Sequence, residues 1–260
     1  SRPHSVTAEI LVIAWGNEFI KIALSHKVIL FTLLQYNKIM SRIYLHIANA
    51  NQTFTNAEIT IFKNAAQKAE DFISAIFTQL DYEVDVITTT PSPMLPTIAE
   101  DGIAGKTLHS RLIMLSIDKN QHEISEDFIF ETVCHEMSHS LRWEKLPEYA
   151  ETMFDGMILE GLAVVLEEGA MTDSGRRDQQ FFLREVRKTS QTEIDKMIAA
   201  LKDSLENKVY DYNKIFFTGD DVLPRWAGYK LGYYFVKQHL HQTSQTIAQA
   251  TLASYKDFIL

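Results

Sequence analysis

The stretch "FETVCHEMSHSLRWE", residues 130–144, decides how the rest of the chain is interpreted. It contains two histidines four positions apart, His135 and His139, and Glu136 directly follows the first. Residues four apart on an α-helix project from the same face, so both imidazoles can bind one metal ion. Glu136 is poorly placed as a ligand, but it can take a proton from an attacking water. The pattern therefore predicts a zinc-dependent hydrolytic site on a helix.

A third zinc ligand is needed, and Glu160 stands twenty-one residues after His139 in "MILEGLAVVLEE". This second helical pattern ends at Gly169, and the Glu160 carboxylate completes a His₂Glu set with one open position for catalysis. Asp155 is an alternative third ligand, although a capping or supporting role suits it better. Glu167 lies two helical turns after Glu160 on the same face, where it either orients a ligand histidine or is solvated.

Composition excludes some functions. The chain has 260 residues, 46% of them hydrophobic, and a net charge of −9, which disfavours binding to nucleic acid. Cys134 is the only cysteine, so neither an intrachain disulfide nor a thiolate-rich zinc cluster can form; we expect it to be a small buried hydrophobe. Apolar runs are too short to span a membrane and no signal peptide is evident. We therefore expect a cytoplasmic protein without a membrane anchor.

The order of elements predicts an α+β fold. Residues 1–39 show no clear strand alternation, and a regular pattern begins at Met40, so we expect residues 1–39 to be a non-native or upstream extension. Residues 40–260 then form one zincin-like catalytic domain, with an α/β lobe (40–142) and a helical lobe (143–260). The first lobe is predicted to contain a small mixed sheet and one packed helix, with strands at 42–48, 82–88 and 110–118, a helix at 56–80 and a loop at 91–106. Helices are predicted at 126–142, 154–168, 179–206, 224–240 and 243–257.

Glycines on the helices predict close helix packing, and tyrosines beside them are candidates for an oxyanion donor. Gly161, next to the third ligand, is expected to let the second helix approach the HExxH helix closely. In "PRWAGYKLGYYFVKQHL", small residues lie on one face and Tyr229 and Tyr233 on its neighbour. A zinc peptidase needs a donor that stabilises the tetrahedral oxyanion, although aromatic residues at this spacing are also typical of a core. We favour Tyr229, followed by Tyr233 and Arg225.

The motifs resemble those of known zinc peptidases. HExxH followed by "EGLA" resembles the gluzincins, the group that contains thermolysin. More narrowly, "TMFDGMILEGLA" and "PRWAGYKLGYYFV" resemble a bacterial family of uncharacterised zinc-dependent proteases, over about residues 41–240. The resemblance implies His135, His139 and Glu160 as zinc ligands, Glu136 as general base, and a peptide or protein as substrate.

Departures from the motifs of other zinc peptidases exclude some subgroups of this class. The metzincin pattern would have glycine and histidine where this chain has Arg142 and Lys145, which excludes that branch. The signature with which some aminopeptidases grip a free amino terminus is not visible. Two other classes stay open: a zincin-like binding or regulatory protein without turnover, and a zinc hydrolase of a non-peptide amide or ester. Glu136 favours an enzyme, because a purely structural zinc does not need a base.

Overall fold

The computed structural model describes residues 10–15, 18–23, 42–78, 81–120, 122–146, 150–176 and 180–258. By its contacts the chain divides into two compact units, residues 1–39 and 40–260. In the first unit, β1 (Ile10–Trp15) and β2 (Glu18–Ala23) form an antiparallel hairpin. The sequence showed no clear strand pattern here, and that reading is wrong. The rest of this segment lies outside the described residues, so its non-native origin stays a prediction.

The second unit begins with the small mixed sheet that the sequence predicted. Its strands are β3 (Arg42–Ile47), β4 (Glu83–Thr89), β5 (Ile103–His109) and β6 (Leu112–Ile117). The spatial order is β3-β4-β6-β5; the first three are parallel, and β5 runs antiparallel to β6 at the edge. The loop predicted at 91–106 is wrong from Ile103 onward. "IAGKTLH" has weak strand propensity of its own and becomes a strand through its pairing with β6.

One helix, α1 (Asn56–Ile76), packs on this sheet. It begins with a capping box, in which the Thr55 hydroxyl accepts a hydrogen bond from the Glu58 backbone while the Glu58 carboxylate accepts one from Thr55 N at 2.6 Å. Its buried apolar residues join those of the sheet in one core: Phe62, Ala65, Ala69, Ile73, Val84, Val86, Ile113 and Leu115. Burial of a side chain such as Phe62 stabilises the fold by roughly 2 kcal/mol.

The remainder of the second unit is mainly helical, which confirms the α+β fold class. The helices are α2 (Glu126–Lys145), α3 (Met153–Asp173), α4 (Phe181–Arg187), α5 (Gln191–Leu201), α6 (Ala227–Thr243) and α7 (Ile247–Thr251). A π-helical turn occupies Lys214–Thr218 and a 3₁₀ turn occupies Tyr255–Asp257. Within the described part of the chain, no helix combines the length and apolar character that a membrane span requires.

Two of the predicted helices are wrong in extent. The helix predicted at 179–206 is two helices, because Ser190 accepts a hydrogen bond from Glu193 N and starts α5 with a capping box of its own. The helix predicted at 243–257 is also interrupted. Ser244 ends α6 in the left-handed region at φ 56°, and α7 then lasts only five residues.

The site lies where two hydrophobic cores meet. Apolar side chains of α2, including Cys134, pack in the core beneath the sheet. The first three turns of α3 pack instead in a second core with α4, α5 and α6, whereas Leu166 and Ala170 near its end join the first core. Polar side chains of α2 and α3 therefore meet each other between two apolar regions.

Gly161 of α3 has a different role from the expected one. A Cβ at Gly161 would lie 2.2 Å from the backbone of Gly232, and one at Gly232 would lie 1.9 Å from Met157 O. These glycines therefore allow α3 and α6 to pack backbone against backbone. The expectation that Gly161 faces the HExxH helix is wrong, since a residue adjacent to Glu160 on a helix points about 100° away from it.

Candidate metal centre

The HExxH helix, α2, begins at a local signal and brings both histidines to one buried place. The Ser125 hydroxyl accepts a hydrogen bond from Phe128 N at 3.3 Å, and the helix then continues without a break past the motif. His135 and His139 are 8% and 6% exposed, and their ring centroids are 5.0 Å apart. Two imidazoles on one helix face therefore lie next to each other in a largely dry environment.

Glu160 of α3 faces both imidazoles. Its Oε2 lies 3.2 Å from His139 Nε2 and 3.5 Å from His135 Nε2. Ligand atoms about 2 Å from a tetrahedral zinc ion are about 3.3 Å from each other. Glu160 Oε2 is also buried and makes no well-aligned hydrogen bond among the described residues, so its lone pairs converge with those of the two nitrogens. These three side chains fit a His₂Glu zinc site.

The electrostatics of the site reflect this convergence. Burial acts to lower the pKa of His135, but the adjacent carboxylates of Glu160 and Glu167 outweigh it and hold the pKa well above its usual value. For Glu160, burial acts to raise the pKa, but the neighbouring His139 and His135 hold it well below its usual value. The carboxylate is therefore ionised and attracts positive charge to this point, which is the role of a metal ligand.

Glu136 points toward the edge strand β5. The Thr107 hydroxyl donates a hydrogen bond to Glu136 Oε2 at 2.8 Å. Gly105 provides the space, since a Cβ there would lie 2.4 Å from Glu136 Cγ. The Glu136 carboxylate lies within 4.8 Å of the imidazole nitrogens as well. Because Thr107 holds it while Glu160 approaches both nitrogens more closely, Glu160 suits the third ligand position and Glu136 the position of a base.

Glu167 lies behind His135. His135 Nδ1 donates to Glu167 Oε2 at 2.9 Å, and both side chains are buried. Such a carboxylate fixes the ring orientation of a ligand histidine and directs Nε2 toward the metal. Glu167 is therefore not solvated, and its contact with His135 fits the orienting role that the sequence left open.

Asp155 does not line the cleft at the histidines. It is fully buried at the start of α3, where Asp155 Oδ2 accepts from Glu151 N at 2.9 Å and Oδ1 lies 3.4 Å from Arg142 Nη2. Thr152 caps the same helix by accepting from Asp155 N. These contacts tie the first turn of α3 to α2, which is a supporting role.

A cleft of about 880 Å³ contains the three motif residues and Glu160. Its wall includes β5 from Ile103 to Thr107 and several large apolar side chains. Phe217, in the π-helical turn, and Trp143 are 45% and 36% exposed and lie at its rim. Trp226 stands in the left-handed region at φ 63°, an unusual conformation for a bulky residue, and its ring packs against Phe182 at 5.1 Å.

The three residues proposed as oxyanion donors divide into two groups. Tyr229 and Arg225 line the cleft, but both Arg225 Nη atoms pair with Glu100, the closer at 2.6 Å. Burial, followed by the nearby Glu160 carboxylate, raises the pKa of Tyr229 well above its usual value, so its hydroxyl stays a donor. Tyr233 is not brought to the cleft; it donates to Glu168 at 3.1 Å.

Four residues of the site were missed by the sequence analysis. Tyr212 Oη, in the helical residues just before the π-helical turn, donates to Glu160 Oε1 at 3.3 Å, and Gln180 lies beside Glu167. Neither position has a sequence signal. Gly105 lies in the segment predicted as loop, and Thr107 lies between that loop and the strand predicted from residue 110. A glycine and a threonine two apart shortly before "SRLIMLSID" were the available signal for a strand that approaches another backbone closely.

The fold and the site together define a class. An HExxH helix beside a mixed sheet, with a glutamate supplied by the following helix, is the arrangement of the zincin-like proteins. Residues 62–260 match the model of the family described as "Predicted Zn-dependent protease (DUF2268)". The chain belongs to this family, and the resemblance drawn from its motifs is confirmed. No curated protein and no solved structure matches the chain.

Proposed function

We propose that the protein is a zinc-dependent peptidase that hydrolyses peptide bonds with Glu136 as general base. The observation that carries the proposal is the position of Glu160 Oε2, 3.2 and 3.5 Å from the Nε2 atoms of two histidines that belong to an HExxH motif. His135, His139 and Glu160 would hold the ion. The family description supports a zinc protease in general terms.

The chemistry divides between the ion and the chain's own residues. Zinc, when bound, polarises a peptide carbonyl and lowers the pKa of water toward neutrality. Glu136 takes the proton of the attacking water and passes it to the leaving amine. Thr107 keeps the Glu136 carboxylate in one orientation, and Glu167 keeps the imidazole of His135 in one orientation.

Strand β5 supports a peptide as substrate. It is the edge of the sheet, and beyond the isolated bridge between Ile98 and Ile103 its outer side pairs with no strand among the described residues. An extended peptide can add to such an edge through main-chain hydrogen bonds, which would place its carbonyl groups next to Glu136. Exposed Met94, Trp143 and Phe217 at the rim favour apolar side chains on that peptide.

The two tyrosines near Glu160 have separate proposed roles. Tyr212 donates to Glu160 Oε1, which leaves Oε2 facing the imidazoles, so Tyr212 would orient this ligand. Tyr229 lines the cleft beside His135, with ring centroids 6.4 Å apart, and keeps its proton. It would donate to the oxyanion as negative charge develops on the carbonyl oxygen.

Metal analysis and a peptide-library cleavage assay test this function together. The wild type should contain one zinc per chain and cleave peptides in a chelator-sensitive way. Glu136→Gln should keep the zinc and lose turnover by a factor on the order of 100 or more, because an amide cannot accept the proton. Glu160→Ala should lose both zinc and turnover, because it removes a ligand.

The outcomes separate the rival classes. A Glu136→Gln protein that cleaves as fast as the wild type would show that Glu136 is not the base. Zinc binding without cleavage of any peptide would favour the binding or regulatory protein. Cleavage of ester or non-peptide amide probes in place of peptides would favour the other hydrolase class. Wild-type zinc content in Glu160→Ala would show that the ligand set is wrong.

A further inference from the structure

A chain of buried polar side chains continues from His135 beyond Glu167. Gln180 Nε2 lies 3.4 Å from Glu167 Oε1 and 3.2 Å from Glu131 Oε2. Arg176 Nη1 lies 3.3 Å from the other carboxylate oxygen of Glu131. Glu167, Gln180 and Glu131 are 3%, 2% and 0% exposed, so each of these polar groups depends mainly on protein partners for its hydrogen bonds.

We propose that Gln180 is a positioning residue of the metal centre, which holds Glu167 against His135 and is itself held by Glu131. The amide of glutamine has two N–H donors, and three acceptors lie within reach of Gln180 Nε2: the two carboxylates and Phe128 O at 3.4 Å. Hydrogen bonds to carboxylates are stronger than those to a backbone carbonyl, so we assign one donor to each carboxylate. The proposal rests on the proposed function in one respect only, that His135 is a zinc ligand.

The physical reason is the free-energy cost of burying two carboxyl groups close to each other. Without the amide, one oxygen of Glu167 would lack its donor, and Glu167 would face Glu131 with nothing between them. Burial raises the pKa of Glu131 to about 8 although Arg176 lies beside it, which indicates how poorly solvated this region is. A displaced Glu167 would release the Nδ1 hydrogen bond that fixes the ring of His135.

The backbone around Gln180 leaves its side chain free for this role. Gln180 is the N-cap residue of α4, but its side chain does not cap the helix. Asp101 does so instead, by accepting hydrogen bonds from Phe181 N at 2.5 Å and Phe182 N at 3.0 Å. Because Asp101 takes the place of the N-cap side chain, the side chain of Gln180 is available to bridge α2 and α3.

Zinc affinity of the full chain, measured by competition with a chromophoric chelator, tests the proposal. Glu167→Gln should weaken zinc binding about 10- to 100-fold, and Gln180→Met roughly three- to tenfold. The double variant should bind zinc about as weakly as Glu167→Gln alone, because Gln180 acts through Glu167. Gln245→Met is the matched control, since it removes an amide bonded to His239 and should leave affinity unchanged.

Two substitutions of Glu131 keep the test decisive if Gln180→Met folds poorly. Glu131→Gln retains an oxygen that accepts from Gln180 and should bind zinc within about twofold of the wild type. Glu131→Met removes the acceptor and should weaken zinc binding roughly threefold or more. Wild-type affinity in both Gln180→Met and Glu131→Met, or fully multiplicative losses in the double variant, would overturn the proposal.

A readout without zinc separates this proposal from the proposed function. In the metal-free protein, the His135 Nδ1–H proton should give a downfield nuclear magnetic resonance signal that exchanges slowly with water. Gln180→Met should accelerate that exchange, whereas Gln245→Met should not. If the wild type binds no zinc, the proposed function fails, but faster exchange in Gln180→Met still supports the positioning role. Equal exchange in all three proteins contradicts it.

Discussion

Replacement of Gly105 by alanine tests whether the position of Glu136 against strand β5 determines the rate. A Cβ at residue 105 would lie 2.4 Å from Glu136 Cγ and 2.6 Å from its Oε1, while ordinary contacts begin at 3.4 Å. Glu136 must therefore move by about 1 Å, or the strand must move away from it. A misplacement of about 1 Å lowers the rate of an enzyme about 100-fold, equivalent to about 2.7 kcal/mol in the barrier.

The assay is kcat/KM on a fluorogenic peptide whose cleavage is blocked by chelation, together with zinc content. We expect Gly105→Ala to retain one zinc per chain, since the three atoms nearest to the added Cβ all belong to Glu136. Gly169→Ala is the matched control. Its Cβ would meet only Phe72 Cζ, at 3.4 Å, and glycine to alanine within a helix stabilises by about 0.5–1 kcal/mol.

Two results would refute this reasoning. A kcat/KM within about threefold of the wild type in Gly105→Ala would mean that the rate does not depend on the present position of Glu136. Loss of zinc in step with loss of rate would mean that the strand disturbs the ligands, and that the effect does not belong to Glu136 alone. Unchanged zinc with a fall mainly in kcat is the expected pattern.

Three further predictions concern pH, packing and the tyrosines. The folded state raises the pKa of Glu131 from 4.5 to about 8, so it binds the proton more tightly than the unfolded chain does, and stability is lost as pH rises through this range. Between pH 5 and pH 8, the free energy of unfolding in urea should fall by on the order of 3 kcal/mol more for the wild type than for Glu131→Gln. An equal dependence of the two free energies on pH would contradict this prediction. Gly161→Ala should lower the melting temperature by several degrees more than Gly169→Ala, because its Cβ meets the Gly232 backbone at 2.2 Å; equal melting temperatures would show that α3 and α6 can separate at little cost. Tyr229→Phe should lower kcat about 100-fold with zinc retained, whereas Tyr212→Phe should weaken zinc binding about 10-fold. Steady-state kinetics and chelator competition measure the two effects. Weaker zinc binding in Tyr229→Phe, with only a lower kcat in Tyr212→Phe, would mean that the two roles are exchanged.

Local signals in the sequence were enough for the helices that carry the motif. Ser125 ahead of two acidic residues and the spacing of His135 and His139 predict α2 and the face on which the histidines lie. Glu160 followed from the same kind of pattern one helix later. These predictions rest on interactions within about one turn of helix, which is the distance over which a single sequence is informative.

The parts that were missed depend on contacts between distant segments. Strand β5 exists through its pairing with β6, and Gly105 matters through a contact with Glu136, thirty-one positions away. Gly161 was assigned to the wrong neighbour, because its spacing identifies a small residue on a helix face but not the helix that the face meets. Tyr212 and Gln180 come from segments outside the long helices, where no periodicity restricts the direction of a side chain.

The geometry of α3 explains how α6, which carries none of the three proposed ligands, still affects the metal centre. Glu160 and Glu167 are seven residues apart, about 10 Å along the helix axis, and they contact opposite nitrogens of the His135 ring. A slide of α3 by one residue, about 1.5 Å, would break both contacts at once. The close backbone contact between Gly161 and Gly232 of α6 opposes such a slide, together with the contact between Asp155 and Arg142 of α2. A larger side chain at Gly232 should therefore weaken zinc binding although that residue touches neither histidine.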